Sequence, residues 1–76
     1  MEVIVYGQKF CGACNKLKDY LTTNGIKFKE IDISIDSNMK KLRSKSKMLS
    51  IPQMEIDDKI VMVGFNPVEL RKLFGK

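Results

Sequence analysis

Cys11 and Cys14 are the only thiols in this chain, and they stand three positions apart in Cys11-Gly12-Ala13-Cys14. A pair at this spacing can close a disulfide, supply half of a metal site, or pack inertly as two small side chains. Tetrahedral zinc needs four ligands, and the sequence holds no histidine and no further cysteine. Only a four-thiolate site shared by two chains, or added carboxylates, would complete one. The missing histidine also excludes Ser-His and Cys-His nucleophile pairs, and Asn15 behind Cys14 excludes a c-type haem attachment. Thiol–disulfide exchange is the chemistry that two cysteines can carry by themselves.

The elements around the pair decide what each sulfur can do. Glu2 to Tyr6 (EVIVY), closed by Gly7, predicts a short buried strand. Behind it Cys14, Leu17 and Leu21 fall at i, i+3 and i+7 while Lys16, Lys18 and Asp19 take other faces, which predicts an amphipathic helix of about three to four turns. Residues three apart on a first helical turn lie roughly 5–6 Å from each other, within disulfide reach. Cys11 then sits at the helix N-terminus, where free amide groups and the positive dipole end stabilise a thiolate. Cys14 sits one turn in, buried and protonated. On this reading Cys11 attacks and Cys14 resolves.

Gly25 supplies a left-handed helix stop, with Ile26 as the apolar residue expected behind it. The alternation Ile26-Lys27-Phe28-Lys29-Glu30-Ile31-Asp32-Ile33 predicts a half-buried second strand. Ser34, Asp36 and Ser37 offer caps for a second helix running to about Ser46, with Ile35, Met39 and Leu42 facing inward. Pro52 interrupts the pattern, as either a turn proline or something more specific. Gln53–Ile56 and Ile60–Val63 flank Asp57-Asp58-Lys59 and predict a β-hairpin. Asn66 caps a last helix with Pro67 in its first turn, Glu69 in the capping-box place, and Leu70, Leu73 and Phe74 inward. The order is β-α-β-α-β-β-α, an α/β chain whose opening βαβ unit is right-handed and parallel and whose hairpin adds an antiparallel edge.

At 76 residues the chain has room for one domain, spanning residues 1–76, with no repeat, linker or low-complexity tract. No apolar run approaches the ~18–20 residues of a membrane span, and Met1-Glu2 leads straight into Val3 without a basic, then apolar, leader. The expected address is the cytoplasm, with no membrane partner. Fourteen basic residues against nine acidic give +5, which favours acidic partners or phosphates. Lys40, Lys41, Arg43, Lys45 and Lys47 crowd the second helix and its exit, either as a solvated face or as a rim that steers anions. Nucleic-acid binding calls for interleaved aromatics, and none occurs between Lys29 and Gly64.

Three stretches together carry a resemblance: Val5-Tyr6-Gly7-Gln8-Lys9-Phe10-Cys11-Gly12-Ala13-Cys14, Ser50-Ile51-Pro52-Gln53 and Val63-Gly64-Phe65-Asn66. In order and spacing the chain resembles the glutaredoxin family, and also the short redoxins that serve ribonucleotide reductase. The resemblance implies a minimal thioredoxin/glutaredoxin fold with a four-stranded mixed sheet and three helices. It implies a thiol–disulfide oxidoreductase with no tightly bound cofactor and glutathione as co-substrate, acting on glutathionylated or disulfide-containing proteins, and nothing in the sequence points to more than a monomer. Pro52 corresponds to the family's cis-proline, with the Ile51 backbone beside it. Gly64, Phe65 and Asn66 correspond to a glutathione seat, to which Lys9, Phe10 and Ala13 add contacts, while Asn66 also reads as a plain helix cap. The chain has Gly12-Ala13 where the family usually has Pro-Tyr, Gln8 in place of a lysine, and Phe65 in place of a second glycine. These positions bear on the choice of reductant, so reduction by thioredoxin reductase, with ribonucleotide reductase as acceptor, stands as the alternative. An iron–sulfur carrier is a second alternative, disfavoured by the presence of Cys14.

Overall fold

The β-branched run Val3–Gly7 forms β1, a strand buried along its whole length because helices cover both faces of the sheet. A computed structural model describes residues 1–76 and continues with α1 (Gly12–Thr23), β2 (Lys29–Asp32), α2 (Asp36–Lys45), β3 (Gln53–Ile56), β4 (Lys59–Val63) and α3 (Pro67–Phe74). The sheet order is β2-β1-β3-β4, with β1 parallel to β2 and antiparallel to β3, and β3 antiparallel to β4. This is the mixed four-stranded, three-helix α/β architecture expected from the sequence.

Side-chain alternation along β1 splits the core in two. Val3 and Val5 join Leu17 and Leu21 of α1, Met54, Met62 and Leu70 of α3 on one face. Ile4 and Tyr6 join Ile33 and Leu42 of α2 on the other. Gly7 continues the first face, beneath α1.

Local signals held where chain neighbours supply the whole interaction. After Thr23 the Ile26 N–H donates to the Leu21 carbonyl at 2.8 Å and the Gly25 N–H to that of Thr22 at 3.1 Å, with Gly25 at φ +69°. That is a Schellman stop, and a side chain at Gly25 would strain it. Asn66 Oδ1 likewise accepts from the Val68 and Glu69 N–H groups at 3.1 and 3.2 Å.

Four expectations need correction. β2 covers only Lys29–Asp32 rather than Ile26–Ile33. The apolar phase shifts between Phe28 and Ile31, so Ile26 and Phe28 pack on the first face and Ile31 and Ile33 on the second. Ile35 is not inward: it occupies the α2 N-cap with no side-chain capping bond and is exposed. Asp32 organises that turn instead, its Oδ1 accepting from Ser34 N and Oγ at 2.9 and 2.7 Å. These bonds, led by the Ser34 hydroxyl, hold the Asp32 carboxyl below its ordinary pKa. Leu73 is exposed, because eight-residue α3 buries only Leu70 fully. Lastly, Lys59 belongs to β4, leaving a two-residue hairpin turn in which Asp57 and Asp58 both adopt positive φ, 48° and 71°, as a type I′ turn demands.

Candidate active site

α1 begins with Cys11 as its N-cap residue. The Cys11 Sγ accepts the Cys14 N–H at 3.2 Å, and the Cys11 carbonyl accepts from Asn15 at 3.0 Å. A sulfur here faces the positive end of the helix, and the first turn carries no acidic residue to oppose a thiolate. Cys11 and Cys14 are joined in a disulfide with their Cα atoms 5.2 Å apart. Exposure separates the two: Cys11 is half-buried, whereas Cys14 is 1% exposed.

Gly7 creates the space for the buried sulfur. A Cβ placed there would lie 3.0 Å from Cys14 Sγ and 3.3 Å from Cys14 Cβ, closer than van der Waals contact allows. The glycine that ends β1 therefore lets the second thiol settle directly on the sheet. A glycine ending a β-branched run was visible in the sequence, but its partner, seven residues on, was not.

The Ile51–Pro52 peptide bond is cis. Tyr6 pairs with Gln53, so Gly7 and Pro52 follow at the same end of the sheet, where Cys14 packs. Pro52 is buried and Ile51 half-buried against the second core. The Pro52 carbonyl accepts from the Gly64 N–H at 2.7 Å. Gln53, fully buried, donates through Nε2 to the Met48 and Ser50 carbonyls at 2.8 and 2.9 Å, which pins the loop ahead of the proline.

The other predicted site residues scatter around this centre. Lys9 is exposed, and Ala13 half-buried between the cysteines. Phe10 projects completely into solvent and holds a left-handed backbone, φ 62°. Such a conformation is uncommon for a bulky residue and concentrates at functional sites. Gly64 has φ +81°, Phe65 packs partly against the first core, and the Asn66 side chain is occupied as the α3 cap. With Pro67 lacking an N–H, the first turn of α3 has its donors satisfied internally: Val68 and Glu69 by Asn66 Oδ1, Leu70 by the Asn66 carbonyl at 3.0 Å.

A buried ionic cluster on the opposite face escaped the sequence reading. Glu55, 1% exposed, accepts at Oε1 from the Tyr6 hydroxyl at 2.7 Å and the Lys45 ammonium at 2.9 Å, and Lys45 also lies 3.6 Å from Asp58. Burial alone would push the Glu55 carboxyl up, yet the hydrogen bonds from Lys45 and Tyr6 and the Lys45 and Lys41 charges hold it below its ordinary pKa. Burial, then the bond to Glu55, raises the Tyr6 hydroxyl far above its usual value. The bond to Glu55 raises Lys45. Tyr6 and Lys45 lie 49 and 10 residues from Glu55, and no local pattern announces such a cluster.

A cis-proline at the sheet end, a disulfide at a helix start and this strand order define a thioredoxin-fold redox protein. The chain belongs to the glutaredoxin family, whose family model matches residues 3–61. It is 37% identical over 75 residues, covering 95% of this chain and 96% of the relative, to a glutaredoxin-like 8.6 kDa protein in the rubredoxin operon of Clostridium pasteurianum. The glutaredoxin grx-1 of Archaeoglobus fulgidus superposes with a TM-score of 0.81 at 28% identity, over 99% of this chain and 87% of that one. The glutaredoxin-like NrdH-redoxin of Escherichia coli, which has a thioredoxin-like activity profile, shares the fold, with a TM-score of 0.83 at 22% identity over 96% and 95% of the two chains. Membership implies thiol–disulfide oxidoreductase activity. No helix is long and apolar enough to cross a membrane.

Proposed function

We propose that this chain reduces protein disulfides and glutathione mixed disulfides, with Cys11 as nucleophile and Cys14 as resolving thiol. The observation that carries the assignment is the unequal access of the two sulfurs, one half-exposed at a helix N-terminus and the other 1% exposed. The Cys11 thiolate attacks a substrate disulfide RS–SR′, forming Cys11–SR while R′S⁻ departs. Cys14 then loses its proton and attacks Cys11 Sγ, and RS⁻ leaves with that proton. Two electrons have passed to the substrate, and the Cys11–Cys14 disulfide is the oxidised product. Only thiols take part.

Two reductants fit the return step. Family membership supports glutathione, which would attack Cys11–SR in the mixed-disulfide cycle or open the Cys11–Cys14 bond, seated against Ile51, Pro52 and Gly64. The departures at Gln8, Gly12-Ala13 and Phe65 favour the second reading, reduction by thioredoxin reductase. Gly64 N–H is bonded to Pro52 and the Val68, Glu69 and Leu70 N–H groups to Asn66, so a tripeptide carboxylate would have only the Phe65 and Asn66 N–H groups to meet at the α3 start.

NADPH-coupled reduction of a glutathione mixed disulfide, run in parallel with glutathione plus glutathione reductase and with thioredoxin reductase, separates the two. Faster turnover with thioredoxin reductase is the expected result. Turnover confined to the glutathione system overturns that ranking and assigns the glutathione contacts to Ile51, Pro52 and Gly64.

A further inference from the structure

The exchange chemistry leaves one surface unused. Lys40 and Arg43 stand at i and i+3 on α2 with Lys41 beside them, Lys47 follows two residues beyond the end of the helix, and all four are exposed. None has a carboxylate within salt-bridge distance, although Lys18, Lys45 and Lys72 each do. The only acid on the helix is Asp36, at its far N-terminal end. Unpaired like charges so placed repel one another, and a partner's carboxylates relieve that repulsion.

Exposed apolar residues follow these basic residues in the chain. Met48 and Leu49, 53% and 61% exposed, follow Lys47 and lead through Ser50 to the cis-proline. The bonds from Gln53 to the Met48 and Ser50 carbonyls fix their course. Phe10, entirely exposed, stands immediately before Cys11. Exposed apolar side chains on the segments leading to Cys11 and to the cis-proline, with unpaired basic residues just ahead of the second, form a surface for a chain carrying both kinds of residue. No aromatic residue lies between Lys29 and Gly64 to stack a base, so the surface fits a polypeptide rather than single-stranded nucleic acid.

We infer that the protein disulfide served by Cys11 lies in an extended acidic segment of its partner. The partner's cysteine lies at Cys11, an apolar side chain covers Met48 and Leu49, and Asp or Glu side chains meet Lys40, Arg43 and Lys47. The longest dimension of the molecule is 33 Å, so at ~3.3 Å per extended residue the carboxylates fall within about ten residues of that cysteine. The inference rests on the oxidoreductase reading and narrows its substrate class.

The test uses the reduced full chain and synthetic ten-residue peptides, each with one cysteine held as a mixed disulfide with thionitrobenzoate. Attack of Cys11 on the peptide sulfur transfers the peptide to Cys11 and releases the coloured thiolate, which gives the rate directly. Neutral hydroxyethyl disulfide serves as the control. At low salt, an Asp/Glu-rich peptide reacts about tenfold or more faster than a Lys-rich one, and the gap closes to about twofold at 0.5 M salt. In the triple variant Lys40→Glu, Arg43→Glu, Lys47→Glu the preference inverts while the hydroxyethyl disulfide rate is unchanged. Equal rates for acidic and basic peptides, with hydroxyethyl disulfide reduced normally, overturn the inference and leave the oxidoreductase reading intact. Tight, salt-sensitive binding of single-stranded DNA together with charge-blind peptide rates overturns it in favour of a nucleic-acid surface. Failure on hydroxyethyl disulfide itself overturns the oxidoreductase reading beneath it.

Discussion

On one face of the sheet the Cys14 sulfur rests on Gly7, shielded from solvent, with Cys11 as its only outlet. On the other face, one strand position away, the Tyr6 hydroxyl donates a hydrogen bond to a Glu55 carboxylate that Lys45 also grips. Both faces hide a polar group, and they do so to opposite ends. The sulfur is left one reachable neighbour, so its bond can be remade. The carboxylate is given two donors at Oε1, which keep it charged and in place. Reactivity here comes from access granted at one atom, and stability from donors supplied to a buried charge.

Breaking the first face has the largest effect. Cys11→Ser abolishes turnover on every disulfide, whereas Cys14→Ser retains de-glutathionylation and loses most reduction of protein disulfides, as read in the two coupled assays side by side. Equal loss by both variants in both assays would remove the distinction between the sulfurs.

Breaking the second face costs stability instead. Glu55→Leu leaves the Tyr6 hydroxyl buried without an acceptor, a loss of about 2–3 kcal/mol, which lowers Tm by roughly 10 °C or more in a domain this small. Adding Tyr6→Phe to it recovers part of that loss, because both polar partners are then gone. Thermal melts of the two single variants and the double variant measure the coupling, and hydroxyethyl disulfide reduction stays near wild type throughout.

The same cluster sets the pH profile of stability. Glu55 has a lowered folded-state pKa, so its contribution is present above the ordinary carboxyl range near 4.5 and is lost as pH falls through the folded value. Tyr6 and Lys45 have raised folded-state values, so their contribution is full below about pH 10 and declines above it as the unfolded chain ionises. Tm therefore holds a plateau from about pH 5 to 10, and Tyr6→Phe shallows the alkaline limb.

Gly7→Ala sharpens the comparison with a smaller effect. The added methyl presses on Cys14 Sγ, which can swing away as a free thiol but not when bonded to Cys11. Overpacking of about 1 kcal/mol in the oxidised form alone raises the reduction potential by roughly 20 mV. Equilibration with a glutathione or dithiothreitol redox buffer reads that shift. Smallest is Asn66→Ala, which loses the α3 cap for about 1 kcal/mol. A rise in turnover with glutathione in that variant would show that the cap, by filling the helix start, selects against the tripeptide.

What was legible in the sequence divides along similar lines. The Gly25-Ile26 stop, the Asn66-Pro67 start and the placing of the two cysteines follow from residues within one helical turn, and each is present in the fold. Ile35 departs from its pattern because an apolar residue at helical spacing reads as inward even when it lies in the cap, before the helix has begun. In the sequence Glu55 is legible only as a strand position, since a buried acid becomes intelligible only beside the strand and helix that neutralise it. The phase shift in β2 was hidden for a related reason: a sheet covered on both faces places apolar residues on either parity.

The burial of Cys14 also has a kinetic consequence. On the proposed roles, electrons enter and leave through one accessible atom, Cys11 Sγ, so donor and acceptor cannot be engaged at the same time. Each turnover is therefore two separate visits, the first departing before the second arrives, and the rate law is ping-pong. Double-reciprocal plots at several reductant concentrations run parallel, and excess oxidised substrate competes with the reductant for the same doorway.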